Sequence, residues 1–318
     1  MSARDTRRKT KFNNNRSHKQ QYNKNSRSSD GKYLAAVWHD TVEYCKRNYG
    51  DVYSRKLTII DTNASSEEET IPDSVVVDIN SERDEDSDND NDGDDEPIDY
   101  GYPVECVNSD TFDLALLYSE KYDNVCVLNM ASAVTPGGGV HKGMGAQEEE
   151  LFRRSNACLA HPSSLYPMNS NELIYCPEID IVRSGPKENY SQIEPVTVSM
   201  ITCAAVRQPN LYQGEYRSSD EESMRLKIAG ILQVAVDNKQ TCLVLGAFGC
   251  GVYRNPPDQV AQIFSEELQK HKFECVGFAI LDRMANDKKD KYNNLEVFRK
   301  VLSGNEIKLL IINKQKND

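Results

Sequence analysis

Residues 125–161 read VCVLNMASAVTPGGGVHKGMGAQEEELFRRSNACLAH. The opening run Val125-Cys126-Val127-Leu128 is short and apolar, which predicts a buried strand. Three consecutive glycines follow, Gly137, Gly138 and Gly139, with Gly143 and Gly145 behind them. Gln147-Glu148-Glu149-Glu150 then opens a segment carrying Leu151, Phe152, Cys158 and Leu159, the pattern of an amphipathic helix with an acidic first turn. Glycines without a Cβ let the backbone take positive φ and approach a ligand closely. Their N–H groups, ahead of a helix N-terminus, predict an anion cradle. No Lys-Ser/Thr pair follows the glycines, and their spacing is not that of a dinucleotide fingerprint. A carboxylate cluster beside the cradle suits chemistry on a group bonded to a phosphate-bearing ligand. Successive helical residues point about 100° apart, so at most two of the three glutamates can face one pocket.

A second stretch has the same logic. Cys242-Leu243-Val244-Leu245 predicts a buried strand, and Gly246-Ala247-Phe248-Gly249-Cys250-Gly251-Val252-Tyr253 a loop. A helix starts near Pro257, a favoured first-turn residue. Two glycine loops at the carboxyl ends of strands predict one shared crevice.

Outward from these stretches, Lys32–Tyr49 reads as a helix with Tyr33, Leu34, Val37, Thr41, Tyr44 and Cys45 on one face. Trp38 and His39 lie on it, and a core role is the stronger reading for both. Leu57–Ile60 and Val104–Val107 read as strands, with Ser109-Asp110 capping a helix over Thr111–Tyr122. Leu173–Val182 looks like a strand pair around a turn, and Val196–Ala205 is strongly β-forming. Ser218–Asp237 is a long helix with Met224, Ile228, Ile231, Leu232 and Ala235 as its buried stripe. Asp258–Leu268 (helix), Cys275–Leu281 (strand), Lys291–Leu302 (helix) and Ile307–Ile312 (strand) complete the alternation, which implies α/β/α layering.

The net charge of −12 hides an asymmetry. Residues 1–32 carry ten Lys/Arg against two Asp/Glu, whereas residues 61–99 carry seventeen Asp/Glu against one Arg. Neither segment has apolar periodicity, apart from Val75–Val77 as a further short strand, so both read as solvated and disordered. The basic arm has the composition for weak contact with nucleic acid or another polyanion. Nine cysteines sit mostly in apolar runs without a CxxC pair, the usage of reduced intracellular thiols. Cys158-x-x-His161 lacks a second ligand pair, so no metal is expected. No apolar stretch approaches the ~20 residues of a membrane span. A soluble intracellular protein is the expectation.

Gly137-Gly138-Gly139, seven residues, then Gln147-Glu148-Glu149 resembles the signature of the poly(ADP-ribose) glycohydrolase family. Leu128-Asn129-Met130-Ala131-Ser132-Ala133, Pro136 and Glu150-Leu151-Phe152-Arg153 point to its microbial type. Cys176-Pro177-Glu178 departs mildly from the family's Ser-Pro-Asp. The resemblance spans roughly residues 33–60 and 101–312 and implies a macrodomain-like fold: three α/β/α layers on a central mixed sheet, with an N-terminal helical extension. The domain plan expected is a basic arm (1–32), helix and strand of the catalytic domain (33–60), an acidic insertion (61–99) and a macrodomain-type core (100–318).

The resemblance further implies hydrolysis of ribose–ribose bonds in poly(ADP-ribose), releasing ADP-ribose, with poly(ADP-ribose) or ADP-ribosylated proteins as substrate. Glu149 would be the general acid, and Glu148 would orient the ribose. ADP-ribose would be bound by Asn129, Ala131, Gly137, Gly138, Gly139, Val140 and Gln147. Gly246, Phe248, Gly249, Cys250, Gly251, Val252 and Tyr253 would form the diphosphate loop, Phe248 beside the scissile ribose. No cofactor is implied. Two other readings stay open: an enzyme removing single ADP-ribose units from protein or nucleic-acid adducts, and a non-catalytic ADP-ribose reader.

Overall fold

The computed structural model describes residues 27–50, 58–61, 98–281 and 293–302. Seven strands form one sheet in the order β1-β4-β5-β3-β8-β9-β2. They are β1 (Thr58–Asp61), β2 (Val104–Val107), β3 (Val125–Met130), β4 (Glu172–Arg183), β5 (Gln192–Cys203), β8 (Cys242–Leu245) and β9 (Cys275–Ala279). A small hairpin, β6 (Leu211–Tyr212) and β7 (Glu215–Tyr216), stands apart. β5, β3, β8, β9 and β2 are parallel; β4 is antiparallel to both its neighbours. The sheet is therefore mixed, as expected.

Alternate residues of the central strands feed two cores. Cys126, Leu128, Leu243 and Leu245 join one cluster with Met224, Ile228, Ile231 and Leu232 of α5 (Ser218–Asp237), with α6 (Pro257–Leu268) and with α7 (Asn294–Leu302). Val125, Val127, Cys242 and Val244 join the other, against α2 (Thr111–Ser119), α3 (Gln147–Arg154) and α4 (Ala157–Ala160). Strands covered on both faces must be apolar at every position, which is why β3 and β8 read as unbroken runs. Asp110 caps α2 as expected, its carboxylate accepting from the Phe112 N–H at 2.9 Å.

Besides shifts at the ends of α2, β5, β9 and α7, two elements differ from expectation. β4 is one continuous strand, not a pair around a turn. Between Cys176 and Ile179 it carries one residue more than β5 does between Met200 and Val198, so Pro177, which has no N–H to donate, sits in a bulge. The first helix, α1, starts at Arg27 and runs to Tyr49, taking in the end of the expected basic arm. The remainder of that arm, most of the acidic segment with Val75–Val77, and Ile307–Ile312 lie outside the described residues.

α1 lies against α3 through its apolar and hydroxyl face. Thr41 Oγ1 donates to the Arg153 carbonyl at 2.7 Å, and the Trp38 ring stands 6.3 Å from that of Phe152. Arg153, fully buried, donates to the carbonyls of Leu34 and Met144 and to the Glu150 carboxylate. Arg154, also buried, pairs with Asp110 and Asp113 of the α2 cap. α3 is thus held from both sides by its own arginines.

Candidate active site

The loops leaving β3, β5 and β8, three adjacent parallel strands, meet at the carboxyl edge of the sheet. They enclose a cleft of about 420 Å³. Ser132, Ala133, Val134, Thr135, Gly138, Gly139 and Glu149 line it from the β3 side, Ala205 and Arg207 from β5, and Tyr253 from β8. Glu149 is the acid in that lining and is 8% exposed.

The glycine loop does not offer its amides to a ligand, contrary to the anion cradle read from the sequence. They are spent on the protein's own carboxylates. Glu148 accepts from the N–H groups of Ser132 at 2.8 Å and Gly137 at 3.1 Å. Glu149 accepts from Gly139 at 2.9 Å and from Ala146, the residue capping α3, at 3.0 Å. Gly138 N–H goes to the Thr135 carbonyl. Glycine is required there because Gly137 and Gly138 have φ of +69° and +53°. A Cβ on Gly138 would lie 2.7 Å from Glu149 Oε1 and 3.1 Å from Glu148 Oε2.

The two glutamates occupy different surroundings. Glu148 is 4% exposed and beneath the cleft. Burial, together with the adjacent Glu149 charge, pushes its carboxyl up to about 8, against the opposing pull of the two backbone donors and the Asn129 amide. Glu150 points away, bonded to Arg153 and to the Tyr190 hydroxyl. Gln147 is fully engaged in structure: Oε1 accepts from Met130 N–H, and Nε2 donates to Thr111 Oγ1 and the Leu128 carbonyl. Its amide ties the start of α3 to β3 and is not in the cleft lining.

Asn129, Ala131 and Val140 are likewise buried supports. Asn129 Nδ2 donates to Thr202 Oγ1, which also meets His161 Nε2 at 2.8 Å. His161 Nδ1 sits 3.0 Å from the Ala157 carbonyl, which can only accept, so the proton is on Nδ1 and Nε2 accepts from Thr202. Burial holds His161 down at about 4, so it is neutral. Its ring and Cys158 are thus accounted for by packing, and among the described residues no cluster of metal-ligating side chains occurs.

The β8 loop places its residues unequally. Phe248 is 0% exposed in the core cluster, so its ring is not beside the cleft as expected. Its N–H donates to the Gly246 carbonyl at 2.8 Å. Tyr253 takes the lining position, with its hydroxyl donating toward the Ala131 carbonyl at 3.4 Å. Gly249, at φ +74°, approaches so close that a Cβ would meet Asn255 Nδ2 at 2.4 Å and Ala205 Cβ at 2.6 Å. Gly246 fits under Met130 and the Ala279 carbonyl. Cys250 is half-buried against the core, Gly251 is open, and Val252 is 80% exposed. The N–H groups of Gly251, Val252 and Tyr253 find no acceptor among the described residues. The second loop, unlike the first, thus keeps backbone donors that the described residues do not use.

Ser132, Val134, Thr135, Ala205 and Arg207 line the cleft but are not singled out by sequence reasoning. The first three lie inside the quoted stretch between strand and glycines. Arg207 has only a positional signal, two residues before Pro209-Asn210 at the end of the β5 run. Trp38 and His39 do not line it; Trp38 packs on Phe152, and His39 is exposed.

A family profile described as microbial-type PARG (poly(ADP-ribose) glycohydrolase), catalytic domain, matches residues 39–184. Poly(ADP-ribose) glycohydrolase from Deinococcus radiodurans, solved in complex with ADP-ribose, is 32% identical with a TM-score of 0.54, over 63% of this chain and 84% of that one. The enzyme from Thermomonospora curvata bound to the inhibitor ADP-HPD is 21% identical with a TM-score of 0.63, over 85% and 99%, and supports the fold. No match was found among curated proteins.

Proposed function

The chain belongs to the poly(ADP-ribose) glycohydrolase family, and on that premise we propose that Glu149 carries the proton transfers of the cleft. The reaction is hydrolysis of the ribose–ribose O-glycosidic bond of poly(ADP-ribose), releasing ADP-ribose. The bond from the anomeric carbon to the neighbouring 2′-oxygen breaks. That oxygen must gain a proton as an oxocarbenium-like centre develops, and the anomeric carbon must then gain hydroxide from water.

Glu149 is the acid that lines the cleft, and this observation carries the assignment. It gives its proton to the departing oxygen and takes one back from the attacking water. The paired amides of Gly139 and Ala146 hold its carboxyl in one orientation for both steps. Burial raises Glu148 to about 8, so it keeps its proton at neutral pH. Glu148 is thus the positioning partner beneath the working group. The free amides of Gly251, Val252 and Tyr253 receive the diphosphate.

Loss of a general acid costs typically about 10²–10⁴-fold in rate. Labelled poly(ADP-ribose) incubated with the Glu149→Ala variant should release ADP-ribose slower by that factor, while ADP-ribose binding by calorimetry stays close to wild type. Wild-type turnover in that variant would sink the assignment.

A further inference from the structure

The cleft contains one feature that the chemistry at Glu149 does not use. Arg207 projects into it from the loop after β5, exposed, with its guanidinium 6.0 Å from the centre of the Tyr253 ring. Among the described residues no carboxylate lies within ion-pair distance of it. A cation in a cleft, stacked on an aromatic face and lacking an anionic partner among the described residues, has the chemistry to receive an anion from outside.

The backbone around it is tied to the β8 loop by hydrogen bonds. Gln208 N–H donates to the Tyr253 carbonyl at 2.9 Å, and Asn255 Nδ2 donates to the carbonyls of Val206 at 2.8 Å and Gly249 at 2.9 Å. Asn255 Oδ1 in turn accepts from the Tyr216 hydroxyl at 2.7 Å. These bonds tie the backbone on either side of Arg207 to the loop that carries the unpartnered N–H groups of Gly251, Val252 and Tyr253. Such fixing lowers the ordering cost of binding.

We propose that Arg207 is the charge-reading residue of the cleft: it binds the diphosphate of the captured ADP-ribose unit together with the amides of residues 251–253. This deepens the functional reading above and rests on it. The amides supply directional donors without net charge, and the guanidinium supplies the charge and a planar fork that matches two phosphate oxygens. Arg207 lies over the Tyr253 ring, and its assigned role is in capturing the substrate, not on the bond that breaks.

The experiment compares wild type with Arg207→Ala, Arg207→Lys and, as a control, Arg254→Ala, which removes the same charge from an exposed residue outside the lining. ADP-ribose and adenosine are titrated by calorimetry at two salt concentrations, and polymer hydrolysis gives kcat and KM. Arg207→Ala should weaken ADP-ribose and raise KM by about 10–100-fold, the scale of a charged hydrogen bond. Its kcat should stay within about threefold, adenosine binding should not change, and the salt dependence of ADP-ribose binding should flatten. Arg207→Lys should recover part of the affinity because it keeps charge and loses the fork. Unchanged ADP-ribose affinity, an equal loss in Arg254→Ala, an equal loss for adenosine, or a loss confined to kcat would each overturn the proposal. If wild type binds ADP-ribose through Arg207 yet leaves the polymer intact, the hydrolase reading fails and this inference stands. If wild type cleaves and Arg207→Ala is indifferent, the reverse holds.

Discussion

Gly138 shows how much one residue can govern. Its φ of +53° is a region that a side chain resists, and the missing Cβ leaves room for Glu149 Oε1 and Glu148 Oε2. Gly138→Ala would strain the turn by about 1–3 kcal/mol and displace both carboxyls. A displacement of that kind costs on the order of 100-fold in rate. The expected outcome is a lower urea midpoint together with a fall in kcat; unchanged turnover in the folded variant would show that the carboxyls do not need the gap. The glycines and the paired glutamates are legible in the sequence because a local motif carries them. Which anion the glycines serve is not, since a backbone N–H looks the same in sequence whether it faces a phosphate or a neighbouring carboxylate. Phe248 and Tyr253 are exchanged for a related reason: both are aromatic residues in one glycine loop, and no local pattern states which ring goes inward.

At the scale of elements, α3 depends on its grip on α1. Arg153 bridges Leu34, Met144 and Glu150 with no exposure to water, so cutting it back strands two carbonyls and a carboxylate. Arg153→Leu should cost about 3–5 kcal/mol, the usual loss when one partner of a buried charge network is removed. Amide exchange should accelerate along α1 before the sheet is affected; equal protection of α1 in wild type and variant would contradict that coupling. Helix α5 is fully legible because Met224, Ile228, Ile231, Leu232 and Ala235 recur at helical spacing and all are buried. The start of α1 is not, because Arg27-Ser28-Ser29-Asp30-Gly31 contains no apolar residue from which to infer a helix. β4 reads as two strands because proline usually marks a turn, whereas a bulge absorbs Pro177 without breaking the ladder.

For the whole molecule, layering and mixed pairing follow from alternation and from strands apolar on both faces, and both are readable. The cleft is less so. Arg207, Ala205 and Tyr253 meet Glu149 only because β5, β3 and β8 are neighbours, a fact of strand order that no local pattern states. Global stability should also register the site. Glu148 has a folded value near 8 against an ordinary 4.5, so the native state keeps a proton that the unfolded chain releases. Its contribution is complete below about pH 4.5 and is lost as pH rises toward 8, with a slope of up to ~1.4 kcal/mol per pH unit. The stability difference between wild type and Glu148→Gln, from urea titrations across that interval, should decline with pH; a flat difference would refute the raised value. The amides of Gly139 and Ala146 have a last consequence. When Glu149 is shortened to alanine, two N–H groups are left pointing at a vacancy with the outline of a small carboxylate. Formate fits that outline, so the crippled enzyme is open to chemical rescue from solution, its lost limb replaced by a diffusible one.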